Sequence, residues 1–323
     1  MERPYFIWDY DISDEQVREI LRGDDEFRKT WLVGRIVQYA HWNDIWKYLT
    51  LDDIRVYFDR IAWRFPFVKE MWAHALEVWD QGGGAPALHE LPAGYTTLPD
   101  REPQLIEGVL TPLQQDSLAV FFADPIAQRF WLTGGTALAA FYLGHRPSED
   151  LDLFTLDAEA LDQARRVMPN IAQESQGVLT SGISAPYYQQ FFLTRPGLPP
   201  LKLDLVREVG PQFGQRQAVG GVIVDSWVNI ATNKVAAIFG RTAAKDFVDL
   251  YFLLHAGHDL KTLISLAQEK DRGLTEFYLG YSMRQVTRFD ALPRMFKAIT
   301  LEELRAFYLE LADDLLRQVN PTT

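Results

Sequence analysis

The chain contains no cysteine. Disulfide staples and thiolate metal centres are therefore excluded. Its six histidines show no H-x-x-x-H spacing, and their positions suggest no Ser-His-Asp arrangement. No apolar run approaches the roughly 20 residues that a bilayer requires. The opening M-E-R-P-Y-F-I-W-D-Y-D lacks the basic-then-apolar layout of a signal peptide. A cytoplasmic protein without membrane contact is the expectation. Basic charge is also scarce, with a formal net charge of −12. Residues 1–80 hold 11 basic and 16 acidic side chains, and residues 105–323 hold 20 and 25. Neither part is a basic module, so a nucleic-acid substrate would need a local cluster of Lys and Arg. The signatures G-x-G-x-x-G and G-x-x-x-x-G-K-[ST] are missing too, which removes the main support for Rossmann and P-loop readings.

What is present divides the 323 residues in two, a length sufficient for two domains with their own cores. Residues 1–80 read as a small all-α domain. Ser13 with Gln16 forms a capping box for a helix that closes at Gly23, and Thr50 with Asp53 marks another start. Pro66 sits at the first turn of a further helix. Seven of the nine tryptophans lie here: Trp8, Trp31, Trp42, Trp46, Trp63, Trp72 and Trp79. They suit the compact aromatic core that a small domain needs. The sharper reading is that some of these rings face a partner. Residues 81–104 are rich in Gly and Pro and have no period, which reads as a linker or an extended strap.

A second domain is expected over 105–323. Thr111, Pro112 and Gln114 open it as a capped helix start. Strand-like segments at 177–184, 187–194, 201–207 and 221–225 follow a helix around 157–168, and helices occupy the rest from 226 on. The expected fold class is α+β, with a small mixed sheet in residues 105–225 and a helical lobe over 226–323.

The chemistry concentrates between Phe130 and Thr155. A strand (130–132) meets Gly134-Gly135-Thr136, then an apolar helix that stops at Gly144, then a strand carrying Asp150 and Asp152. Alternate side chains of a strand share a face, so the two carboxylates point the same way. Like charges that close repel unless a cation lies between them. Oxygen-only ligands suit Mg²⁺ or Mn²⁺. The plain alternative is a strand edge with two solvated aspartates. Gly134 and Gly135 let a ligand approach the backbone, and the helix start beside them favours an anion. Thr136 adds a hydroxyl. The plain alternative here is a tight turn with no ligand. Asp204, in the alternating L-K-L-D-L-V, is a candidate third metal ligand or an exposed residue on an edge strand.

Lys234 is the local anomaly. On a helix from Ser226 it falls at the centre of a stripe formed by Trp227, Ile230, Ala231, Val235 and Ile238. A lysine there either snorkels out or meets negative charge inside a cleft, and its central position favours the cleft. Arg241 lies on the same face. In the next helix, Asp246 and Asp249 are three apart and act together. They are placed to pair with Lys234, Arg241 or Lys245, the stronger reading from the residues alone, or to supply a general base.

The run G-G-T-A-L-A-A-F-Y-L-G-H-R-P-S-E-D-L-D-L-F-T resembles the nucleotidyltransferase toxins of the AbiEii/AbiGii type, which include MenT-type toxins. The run N-K-V-A-A-I-F-G-R-T-A-A-K-D-F-V-D-L-Y-F-L-L matches the second half of that family's pattern. The resemblance covers about residues 105–320. It implies a polymerase-β-like nucleotidyltransferase core with a helical C-terminal lobe, acting in a type IV toxin–antitoxin or phage-defence system. It implies Gly134, Gly135, Thr136 and Ser148 at the nucleotide, Asp150 and Asp152 on metal, and Lys234 on the triphosphate. It implies Asp204 as the equivalent of the fold's third acid. Asp246 or Asp249 would be catalytic. Two Mg²⁺ ions, an NTP substrate and an acceptor follow, a tRNA or other RNA 3′ end ahead of a protein, with Arg146, Arg241 and Lys245 as acceptor-steering candidates. The N-terminal residues resemble small Trp-rich helical proteins that accompany such enzymes, which implies a regulatory or antitoxin-like module. The alternative is a nucleotide-binding regulatory protein without turnover, acting through that N-terminal domain.

Overall fold

The computed structural model describes residues 3–81 and 101–321. Residues 82–100, most of the expected linker, lie outside the described residues. The chain divides into two compact units. One comprises the described residues of Met1–Leu88 together with Thr275–Tyr281 and Glu310–Thr323; the other comprises those of His89–Leu274 and Ser282–Leu309.

The first unit holds α1 (Asp14–Arg22), α2 (Glu26–Tyr39), α3 (Trp42–Tyr48), α4 (Leu51–Tyr57) and α5 (Pro66–Asp80). The Ser13–Gln16 and Thr50–Asp53 capping boxes both form, and Pro66 occupies the first turn of α5. Trp72 is fully buried, and its Nε1 donates to the Val37 carbonyl at 3.1 Å. Trp79 donates to the Leu316 carbonyl at 2.6 Å, and Trp42 stacks on Phe277 with centroids 4.3 Å apart. The tryptophans are thus mostly core, although Trp8 is exposed. The sequence assigned everything after residue 104 to the second domain. In the structure, Phe277 and Leu316 are buried in the tryptophan core of the first unit. Each such side chain contributes about 1.5–3 kcal/mol by burial, which five short helices have reason to recruit.

The second unit begins with α6 (Pro112–Ala123), β1 (Trp131–Thr133), α7 (Gly134–Leu138) and β2 (Asp150–Thr155). The segment expected as one helix around 157–168 forms two, α8 (Ala158–Ala164) and α9 (Met168–Glu174). The strands β3 (Val178–Ala185), β4 (Tyr188–Thr194), β5 (Leu201–Arg207), β6 (Gln217–Val219) and β7 (Val222–Val224) follow, of which β6 was not foreseen. Next come α10 (Trp227–Gly240), α11 (Ala244–His255) and α12 (Leu260–Lys270). Two further helices, α13 (Glu276–Arg284) and α14 (Leu301–Gln318), contribute residues to both units. The fold class is α+β.

The sheet order is β3-β4-β5-β2-β1-β7-β6. β2 runs parallel to β5 and antiparallel to β1, while β1 runs parallel to β7. Leu151, Leu153, Leu203 and Leu205 are fully buried on one face of the two central strands. Their alternation sends Asp150, Asp152, Lys202 and Asp204 to the other face. β5 lies between β4 and β2, so Asp204 is on an interior strand, not an edge. Among the described residues, no helix is long and apolar enough to cross a membrane.

Candidate active site

The parallel register of β2 and β5 sets Asp150 opposite Lys202 and Asp152 opposite Asp204. Lys202 Nζ lies 2.8 Å from Asp204 Oδ2 and 3.2 Å from Asp150 Oδ2. Lys245 of α11 approaches the same Asp150 oxygen at 3.7 Å. Asp204 Oδ1 accepts from the Tyr188 hydroxyl at 2.9 Å. Among the described residues, no ion pair holds Asp152. Burial, followed by the charge of Asp204, pushes its carboxyl up to about 6.

The Gly-Gly pair forms the first turn of α7, directly beside these carboxylates. Gly134 has φ +69°, and a Cβ there would lie 2.2 Å from Asp152 Oδ2. A Cβ on Gly135 would lie 2.7 Å from Arg146 Nη2 and 3.0 Å from Ser148 Oγ. Both glycines are therefore required by the close approach of side chains across the turn. Thr136 is placed differently from the expectation. It is buried under the turn, its hydroxyl donates to the Asp150 carbonyl, and it does not line the cleft. It ties α7 to β2.

The opposite wall comes from α10 and α11. Lys234 Nζ lies 2.9 Å from Asp246 Oδ1 and 2.7 Å from Asp249 Oδ2. Burial disfavours its charge, but Asp249 and Asp246 outweigh that and hold the ammonium above the usual lysine range. Arg146 forms a bidentate pair with Asp249 at 2.6 and 2.7 Å, and His145 Nε2 meets the same carboxylate at 2.7 Å. Burial would raise Asp249, yet Lys234 and Arg146 keep it well below the usual carboxylate range. Arg241 bonds Asp246 at 2.7 and 3.2 Å.

This geometry bears on two expectations. Asp246 and Asp249 are 0% exposed and do not line the cleft. Their three-residue spacing turns both toward Lys234, Arg146 and Arg241, which they hold in place. Arg146, expected as an acceptor-steering residue, lines the cleft but is only 4% exposed, with its fork paired to Asp249. Arg241 and Lys245 do stand at the rim, with side chains 59% and 49% exposed.

The cleft between these walls measures about 550 Å³. Gly134, Gly135, Arg146, Ser148, Asp150, Asp152, Asp204, Lys234, Arg241 and Lys245 all line it, as do the unforeseen Lys202 and Asn233. Lys202 was visible as the face-mate of Asp204, but nothing local revealed its span to Asp150. Gln114 was read only as a capping residue, and its second contact was missed: Nε2 of this buried side chain donates to the Ser148 carbonyl at 2.7 Å, fixing the loop before β2.

A family model for the nucleotidyl transferase AbiEii toxin, of the type IV toxin–antitoxin system, matches residues 117–320. The chain belongs to the AbiEii nucleotidyltransferase toxin family. The uncharacterized protein aq_aa25 of Aquifex aeolicus is 30% identical over 171 residues, covering 50% of this chain and 75% of that protein. Among solved structures, JHP933 from Helicobacter pylori has a TM-score of 0.40 at 19% identity, covering 65% of this chain and 91% of its own. MenT4, a nucleotidyltransferase toxin from Mycobacterium tuberculosis, has a TM-score of 0.38 at 13% identity, covering 64% of this chain and 85% of its own. As an AbiEii family enzyme, the chain is a nucleotidyltransferase.

The donor set of this AbiEii enzyme fits a hard divalent cation in one respect. Asp150 and Asp152 offer only oxygen, and Asp152 carries a charge that its surroundings do not neutralise. Among the described residues, however, no three acidic or histidine side chains converge on one point. Lys202 holds two of the three sheet aspartates.

Proposed function

We propose that this toxin-like enzyme moves a nucleoside monophosphate from an NTP to an RNA 3′ hydroxyl, with tRNA as the acceptor. One juxtaposition carries the reading. A 550 Å³ cleft places the Asp150–Asp152 pair on one side and the cations Lys234, Arg241 and Lys245 on the other, with the Gly134–Gly135 turn between. That volume suits a nucleotide-sized ligand, and the cations suit its phosphates.

The acceptor oxygen bonds to the α-phosphorus as the bond from that phosphorus to the bridging oxygen breaks. Pyrophosphate leaves with the electron pair, and the hydroxyl proton passes to water. The chain's part is to position the groups and match their charge. Gly134 and Gly135 let the polyphosphate approach the backbone, and Ser148 offers a hydroxyl beside it. Lys234, locked by two aspartates, presents a fixed positive charge to the triphosphate. Arg241 and Lys245 meet the acceptor's phosphates at the rim. Asp150 and Asp152 would hold Mg²⁺ or Mn²⁺, whose charge offsets that developing on the phosphate oxygens.

The deciding experiment incubates the full chain with each labelled NTP, Mg²⁺ and total RNA. Labelled tRNA is the expected product, lost in Asp152→Ala. Label on another RNA or on protein would overturn the acceptor. Tight nucleotide binding without any product would leave a nucleotide-binding regulator. The N-terminal unit fits a regulatory or antitoxin-like module in the cytoplasm. Its own cleft of about 520 Å³ is lined by Trp31, Arg35, Tyr39, Arg60 and Arg64, residue types enriched at binding hot spots. Truncation would strip the partners of Phe277 and Leu316. Trp31→Ala in the full chain, scored for growth inhibition, is the cleaner probe, and unchanged growth would count against the regulatory role.

A further inference from the structure

Lys202 has no part in the account above, yet it occupies the middle of the carboxylate face. Its place follows from the backbone. It is the register partner of Asp150 across the ladder and lies two residues before Asp204 on the same strand. Its ammonium therefore meets both carboxylates without an extended reach, at 3.2 and 2.8 Å. The Asp204 side it bonds is almost closed to solvent, since Asp204 is 6% exposed and its other oxygen takes the Tyr188 hydroxyl. Gln190 Nε2 supports that hydroxyl at 2.7 Å. Removing the ammonium would leave a nearly buried carboxylate with only neutral donors, which is costly. A divalent ion placed between Asp150 and Asp204 would have to share the space with a lysine charge anchored on the same strand.

We infer that Lys202 is a resident cation which fills the Asp150–Asp204 position permanently, so that the protein takes up one divalent ion, at Asp152 and the remaining oxygen of Asp150. This rests on the metal-dependent reading proposed above. It replaces the second of the two ions that paired acids in such a cleft would otherwise hold. Asp204 then becomes a positioning residue that acts through Lys202.

The test is metal stoichiometry, which a purely structural lysine would not change. Metal-free full-length protein is titrated with Mn²⁺, and free Mn²⁺ is followed by electron paramagnetic resonance. Wild type should bind one ion per chain. Lys202→Met should bind two, because the vacated pair of carboxylates becomes a site. Lys202→Arg, which keeps the charge, should stay at one. Lys202→Gln gives the same reading as Lys202→Met should the latter fail to fold, with circular dichroism as the check. Two ions in wild type, or one in both neutral variants, overturns the inference while leaving metal-dependent transfer intact. No uptake by any variant overturns both.

Discussion

On α11, Asp246 and Asp249 are fully enclosed, and each is matched by at least two cationic partners. On β2, Asp152 faces the cleft without such a partner, and its carboxyl is pushed up to about 6. The same residue type has thus been put to two uses around one cleft. The helix pair is neutralised from within and serves as scaffold for Lys234. The sheet residue is left uncompensated, which is how a protein keeps a place for a ligand's charge. The difference lies in what stands opposite each: Lys234 and Arg146 face Asp249, whereas Asp204 faces Asp152.

Breaking the helix set should have the largest effect on the fold. Asp249→Asn strips buried Arg146 of its carboxylate partner and leaves Lys234 with Asp246 alone, and loss of one partner of such a pair costs about 3–5 kcal/mol. Urea unfolding should show that loss. A change below about 1 kcal/mol would mean that the pairs do not stabilise the fold. The matching change on the sheet should do the reverse. Asp152→Asn removes a carboxylate repelled by Asp204, so stability at neutral pH should hold or rise. Transfer activity should fall about a thousandfold, the equivalent of roughly 4 kcal/mol of barrier. Retained activity would remove Asp152 from the site.

The two sets should also part company with pH. Asp152 titrates higher in the fold than in the unfolded chain, so its ionised form destabilises the metal-free protein above about 6. That penalty is relieved as pH falls from about 6 toward the ordinary aspartate value near 4. Over the same window the fold prefers the protonated carboxyl, so Mn²⁺ affinity should drop about tenfold per pH unit. Asp249 is shifted the other way. Its contribution is full at neutral pH and is lost progressively as pH falls from the ordinary aspartate value toward its depressed one. Calorimetric Mn²⁺ titrations from pH 5 to pH 8 would show the slope, and a flat profile would refute the assignment to Asp152.

Much of this contrast was legible before any coordinates. The D-x-D spacing gives one strand face by geometry alone, and Lys234 announced itself as a charge on an apolar stripe. The ion pairing of Asp246 and Asp249 was also the stronger reading from the residues. The unread part depended on strand order and on distant pairings. That β5 lies beside β2, which makes Asp204 interior and sets Lys202 against Asp150, is a property of the sheet that no local pattern encodes. Arg146 and Asp249 are separated by 103 residues, so an exposed-looking arginine proved to be buried. Thr136 misled for the opposite reason: its neighbours predicted a ligand, but the helix begins two residues earlier and turns its hydroxyl inward.

Lys245 tests the boundary between the two sets with the smallest expected change. It stands on α11 next to Asp246 in sequence but reaches toward Asp150 on the sheet, at 3.7 Å and with half of its side chain in solvent. Such a pair is worth about 0.2–1 kcal/mol or less, so Lys245→Ala should barely move the unfolding midpoint. Its effect belongs on the acceptor, because a rim charge acts on encounter and is screened by salt. KM for RNA should rise a few-fold at low ionic strength, by about 1 kcal/mol or less, and the difference from wild type should vanish as salt is raised. A kcat defect that survives high salt would instead place Lys245 with Lys202 and Lys234 among the fixed charges of the cleft.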